Sequence, residues 1–190
     1  MTVDPRPTWG IFGGAFDPPH LGHLCVAALA LATGELDRLL VVPTYDHPFG
    51  KRMASWVERL AMARLAFAPL ARVEISSLEE TLPRPSLTFH TVTALCETHA
   101  GVRWRLVIGS DTLRDRSAWH RFDDVARLAE PLVVGRAGHD PEAAGLAVPD
   151  VSSTELRAAL AAGRDVRGRL DPAVERFIRE RGLYGAAPRG

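Results

Sequence analysis

The chain has 190 residues, of which 46% are apolar and 24% charged, with 23 Lys plus Arg against 23 Asp plus Glu. That profile suits one folded domain and excludes a disordered or fibrous chain. Its zero net charge argues against a polyanion binder, since nucleic-acid-binding domains carry a basic surplus or stripe. No apolar run approaches the roughly 20 residues of a membrane-spanning helix. Cys25 and Cys96 lie far apart without zinc spacing and read as small hydrophobes in a reduced compartment. The opening Met1-Thr2-Val3-Asp4-Pro5 lacks the basic and apolar regions of a signal peptide, so a cytoplasmic protein is expected.

Short apolar runs predict five buried strands, and amphipathic stretches predict helices between them. A strand over 8–12 comes first, then a helix over 21–31 that is apolar nearly all round and therefore buried. A strand over 38–43, a helix over 55–68 and a strand over 73–76 follow. The next elements are a helix over 86–99, a strand over 103–108, a helix over 119–128 and a strand over 132–134. Such alternation implies right-handed crossovers and a doubly wound, mostly parallel α/β sheet.

Two further helices follow the last strand. Ser152-Ser153-Thr154-Glu155 has the form of a capping box for a helix over 153–162, with Gly163 as its stop. Asp171-Pro172 supplies an N-cap and a proline at the first helical position, and Gly182 closes that helix. Val174, Phe177, Ile178, Leu183 and Tyr184 recur at roughly helical spacing and read as core. One domain over 1–190 is expected, with its core over 8–150 and a small helical appendage over 151–184. In such sheets ligands bind at the carboxyl ends of the strands, near the point where strand order reverses. The exit of the first strand is therefore the expected site.

That exit reads Gly13-Gly14-Ala15-Phe16-Asp17-Pro18-Pro19-His20-Leu21-Gly22-His23. Paired glycines let the backbone approach a ligand, and the following helix N-terminus favours phosphate. His20 and His23, three apart, share one side of the first turn and can donate to phosphate oxygens during a displacement. The same residues could be a satisfied histidine pair, or a metal site completed by Asp17. Neither the dinucleotide fingerprint nor a Walker loop is present.

The pattern Gly13-Gly14-x-Phe16-Asp17-Pro18-x-His20-x-Gly22-His23 resembles the signature of the H-x-G-H nucleotidyltransferase superfamily. Within it, the chain resembles the bacterial nicotinate mononucleotide adenylyltransferases. A second segment, Val151-Ser152-Ser153-Thr154-Glu155-Leu156-Arg157, places three hydroxyls and an arginine at a helix start. Taken alone it could be an ordinary N-cap. It resembles the family's I-S-S-T-x-x-R, which holds the β- and γ-phosphates of ATP, with Val151 replacing Ile. Gly109-Ser110-Asp111 and Trp119 resemble the G-x-D segment and downstream Trp. Asp111 could otherwise cap a helix, and Trp119 could be a core aromatic.

Pro85-Ser86-Leu87-Thr88-Phe89-His90-Thr91 stands where the family has P-S-Y-T, an acidic residue and Thr, so Leu87 and His90 depart from the pattern. His47-Pro48-Phe49-Gly50-Lys51 stands where P-P-H-K is common. Lys51 is the only lysine among the 23 basic residues. The C-terminal helix followed by Leu183-Tyr184 also resembles the family's ending.

The resemblance implies a Rossmann-like fold and adenylyl transfer from Mg-ATP to the 5′-phosphate of nicotinate mononucleotide, giving deamido-NAD and pyrophosphate. His20, His23, Arg157 and Lys51 are then expected to be catalytic. Gly13, Gly14, Ala15, Phe16, Gly109, Asp111, Ser153 and Thr154 are expected to bind ATP, and Asp17, Thr88 and Trp119 the pyridine nucleotide. Mg²⁺ would arrive on ATP, with no metal ligands from the protein. Partners would be these small molecules, without nucleic acid or membrane, and a homo-oligomer is compatible with this reading. Alternatives are a nicotinamide mononucleotide or phosphopantetheine acceptor, a metal-dependent hydrolase, or a nucleotide-binding module without catalysis. Phosphopantetheine relatives usually have Thr where His20 stands.

Overall fold

The structure, a computed structural model, describes residues 5–32, 36–109, 119–135 and 148–187. Among these, strands β1 (Thr8–Gly14), β2 (Arg38–Pro43), β3 (Val73–Ile75), β4 (Arg103–Gly109) and β5 (Ala129–Val134) pair in parallel in the order β3-β2-β1-β4-β5. Strand order reverses between β1 and β4, as the alternation of elements implies. Helices α1 (Leu21–Ala32), α2 (Trp56–Phe67), α3 (Thr88–Thr98), α4 (Phe122–Leu128), α5 (Ser153–Ala161) and α6 (Pro172–Glu180) surround the sheet.

Successive strand residues point to opposite faces, and both faces are buried. Phe12, Leu39, Val41 and Val107 pack with α1, α2, α5 and α6 in one cluster. Ile11, Leu40, Val42, Leu106 and Ile108 pack with α3 and α4 in the other. The apolar runs of β1, β2 and β4 are continuous because neither face meets water. Gly10 gives close packing where β1 passes the next strand: an added Cβ would lie 2.6 Å from Leu39 Cδ1, and the leucine side chains there would have to shift.

Three sequence expectations are corrected. Helix α1 is only partly buried: Leu21 is 38% exposed and Ala28 is exposed. Its alanines make the exposed side apolar without making it core. Helix α4 begins at Phe122 rather than 119, because Arg121 adopts a left-handed conformation (φ 56°) that cannot continue a helix. The capping box at Ser152 and Glu155 does not form, and Ser152 makes no side-chain cap. A capping box closes instead at Ser55 and Glu58, at the head of α2. The α6 boundaries are as expected: Asp171 accepts from Ala173 N at 2.7 Å, with Pro172 at the first position.

Candidate active site

The loop from β1 to α1 runs along the carboxyl edge of the sheet. Phe16 takes a left-handed backbone conformation (φ 47°), which costs a bulky residue about 1–3 kcal/mol. Its ring is 1% exposed and stacks edge-on against Phe12, Phe67 and His23, and this packing holds the turn. His20 is 2% exposed, and its ring lies 3.7 Å from that of the half-buried His23, nearly parallel to it. The His20 backbone N–H donates to His23 Nδ1 at 3.2 Å. That bond places the His23 proton on Nε2, leaving Nε2–H to donate. Gly22 leaves room for the pairing: an added Cβ would sit 3.1 Å from the His20 ring, which would have to give by a few tenths of an ångström. The Leu21 N–H donates to the Arg169 carbonyl, so the first turn of α1 offers an anion fewer donors than the sequence suggests.

The head of α5 grips this loop from the far end of the chain. Ser153 Oγ donates to the Pro18 carbonyl at 3.0 Å, and Arg157 Nη1 donates to the Asp17 carbonyl at 2.7 Å. Arg157 Nη2 donates to Thr154 Oγ1 at 3.2 Å. Two segments 140 residues apart in sequence thus form one polar cluster carrying imidazoles, hydroxyls and a guanidinium.

A cleft of about 370 Å³ opens over the ends of β1 and β4, where the same loop begins. Gly13, Gly14, Ala15, Gly109, Thr88 and Trp119 line it, as do His47, Phe49 and Glu79. Nothing would meet a Cβ on Gly13 within 4 Å, so its backbone faces open space. A cleft walled by apolar strand ends, aromatic rings and a few convergent polar groups suits a nucleotide.

The cytidylyltransferase-like family model matches residues 11–159. A protein of Anaeromyxobacter sp. (strain K), named "Probable nicotinate-nucleotide adenylyltransferase", is 42% identical over 177 residues, 92% of this chain and 95% of its own. One of the same name from Myxococcus xanthus (strain DK1622) is 36% identical, covering 92% and 93%. The chain belongs to the cytidylyltransferase-like family. The fold is also that of Plasmodium falciparum nicotinic acid mononucleotide adenylyltransferase complexed with NaAD, with a TM-score of 0.80 at 18% identity, covering 95% of this chain and 98% of that one.

In this cytidylyltransferase-like chain the expected site residues fall into three groups. Gly13, Gly14, Ala15, Gly109, Thr88 and Trp119 line the cleft. His20, His23, Ser153, Thr154 and Arg157 belong to the polar cluster. Phe16 and Asp17 are buried, each 1% exposed, and neither lines the cleft. Lys51 is exposed on the loop that carries His47 and Phe49, and its charge is felt at His47. Asp111 lies outside the described residues.

Two residues that the sequence did not single out tie together the loops around the cleft. Arg59 is 1% exposed, and its guanidinium donates to the carbonyls of Ala15, Thr44, Tyr45 and Ala54. It thereby ties the β1–α1 loop to the loop after β2. A signal existed: Arg59 falls with Met62, Ala63 and Ala66 on the buried stripe of α2, where a charge needs a reason. Glu79 is buried and lines the cleft. Its carboxylate accepts from Tyr45 N at 3.0 Å and Thr91 Oγ1 at 2.8 Å. In sequence it sits in Leu78-Glu79-Glu80-Thr81, which looks like a solvated turn.

Proposed function

We propose that this protein is a nicotinate-nucleotide adenylyltransferase, moving AMP from ATP to the 5′-phosphate of nicotinate mononucleotide to give deamido-NAD in NAD biosynthesis. The observation that carries this reading is the junction of Arg157 and Ser153 with the Asp17-Pro18 carbonyls, which sets the α5 head against the histidine loop that continues from Gly13, Gly14 and Ala15 of the cleft wall. The curated relatives bear the corresponding name.

The 5′-phosphate oxygen attacks the α-phosphorus of ATP in line. A new P–O bond forms as the bond to the β-phosphate's bridging oxygen breaks, and pyrophosphate leaves with the electron pair. No side chain acts as nucleophile, so catalysis consists of positioning and charge stabilisation. His23 donates from Nε2 to phosphate oxygens around the reacting phosphorus, with His20 stacked behind it to brace the ring. Ser153, Thr154 and Arg157 hold the departing pyrophosphate, and Lys51 assists from the loop after β2. Backbone groups of Gly13, Gly14, Ala15 and Gly109 approach the nucleotide, while Thr88 and Trp119 face the pyridine ring.

Imidazoles, hydroxyls and a guanidinium are donors to phosphate rather than ligands for a hard dication. Magnesium therefore enters with ATP as part of the substrate and offsets the phosphates' charge. Both substrates are small soluble metabolites, which fits a cytoplasmic enzyme. Incubation with Mg-ATP and nicotinate mononucleotide tests the assignment: deamido-NAD and pyrophosphate should appear in equal amounts. Pyrophosphate without the dinucleotide would refute it.

A further inference from the structure

Asp17 is a buried carboxylate in a loose ion pair with Arg157, which no hydrogen bond closes. Its Oδ1 accepts from the Tyr184 hydroxyl at 2.7 Å and from the Ala54 backbone N–H at 3.1 Å. Its Oδ2 is buried without a hydrogen-bond partner. Arg157 Nη1 stands 3.6 Å from that oxygen, beyond hydrogen-bond reach, and donates instead to the Asp17 main-chain carbonyl. An arginine next to a carboxylate ordinarily pairs with it through two parallel bonds. Turning the Asp17 carboxylate toward Arg157 would break the Tyr184 bond in a buried place, where an unmade hydrogen bond is costly.

The chain around Tyr184 is shaped to make that bond. Tyr184 has a left-handed backbone (φ 56°), between Gly182 (φ 61°) and Gly185 (φ 72°), and its ring packs against the core. Burial and the neighbouring carboxylate push the phenol well above its ordinary pKa, so the hydroxyl keeps its proton and remains a donor.

We propose that Tyr184 is a positioning residue for adenylyl transfer: by occupying Asp17 Oδ1 it keeps the loose ion pair from closing into direct hydrogen bonds between the carboxylate and Arg157, whose guanidinium stays turned toward the departing pyrophosphate. The proposal rests on the function proposed above. In Tyr184→Phe the carboxylate loses its short donor and draws Arg157 inward, away from the phosphates. In Tyr184→Phe/Asp17→Asn the neutral amide has no charge with which to capture it.

The test compares the wild type, Asp17→Asn, Tyr184→Phe and the double variant by calorimetric titration with magnesium pyrophosphate, steady-state kinetics and thermal unfolding. Tyr184→Phe should weaken pyrophosphate binding and lower kcat by about tenfold, with KM for nicotinate mononucleotide within about twofold of the wild type. The double variant should recover most of both losses, which a purely structural role would not allow. Unchanged pyrophosphate affinity in Tyr184→Phe, or a double variant binding no more tightly than Tyr184→Phe, would overturn the proposal. Should Tyr184→Phe fail to fold, Asp17→Asn alone decides: it must bind pyrophosphate at least as tightly as the wild type, and weaker binding overturns the proposal. An inactive wild type would count against the proposed function alone, because the pyrophosphate titration still reads the Tyr184 effect.

Discussion

Arg157 reaches across 140 residues of sequence to donate to the Asp17 carbonyl at 2.7 Å. Its second terminal nitrogen holds the Thr154 hydroxyl. The guanidinium therefore sits in a fixed plane between the α5 head and the histidine loop, and only a planar fork can serve both partners at once.

Arg157→Lys keeps the charge but loses the fork. We expect kcat/KM for ATP to fall by about 10–100-fold while the melting temperature changes little, because the side chain is partly exposed. Initial-rate kinetics with varied ATP check this, and a variant within a factor of about two of the wild type would remove the role assigned to the fork.

His23→Ala removes the donor placed by the His20 backbone bond. A loss of about 10² or more in kcat is expected with the fold preserved, in line with the loss of one preorganised donor. Circular dichroism and pyrophosphate release measured on the same preparation separate the two effects. A normally folded, fully active variant would refute the assignment.

Much of this arrangement was legible in the sequence because it is written in local patterns. The β1 run, the Gly13-Gly14 turn and the Ser153-Thr154-Arg157 helix head each announce themselves within a few residues. Long-range satisfaction was not legible. Asp17 reads as a loop carboxylate that could face substrate, but Tyr184 and Ala54 turn it inward, and those partners come from two distant segments. Ser152 and Glu155 match a capping box in spelling, yet Ser153 beside them donates to Pro18 and the box is left open. Arg59 was one arginine among many until its four carbonyl partners came together in space.

Arg59 makes a prediction of its own. Burial pushes its pKa down, an effect opposed most by the Asp17 charge, and its donors satisfy carbonyls of two site loops. Arg59→Met should cost about 2–4 kcal/mol of stability, because several buried acceptors lose their partners at once. A urea midpoint lowered at constant slope is the expected result, and an unchanged midpoint would contradict it.

His47 gives a pH test. Burial, then the charges of Lys51 and Arg59, hold its imidazole below the ordinary value of 6.5, with Asp46 acting in the opposite sense. The neutral ring also accepts the Phe49 N–H at Nδ1. Because the folded protein binds this proton less readily than the unfolded chain, the associated stability is intact above pH 6.5 and is lost as pH falls from there through the folded value. NMR titration of the His47 ring should give a midpoint below 6.5, rising toward it in Lys51→Ala. A midpoint at or above 6.5 would show that the loop does not bury the ring.

The decisive measurement is pyrophosphate release from Mg-ATP with three acceptors at equal concentration: nicotinate mononucleotide, nicotinamide mononucleotide and phosphopantetheine. Release should be fastest with the nicotinate form by about tenfold or more, as expected where recognition of one charged group separates near-isosteric substrates. Equal or faster release with either of the other two, or none with nicotinate mononucleotide, would contradict the proposed activity.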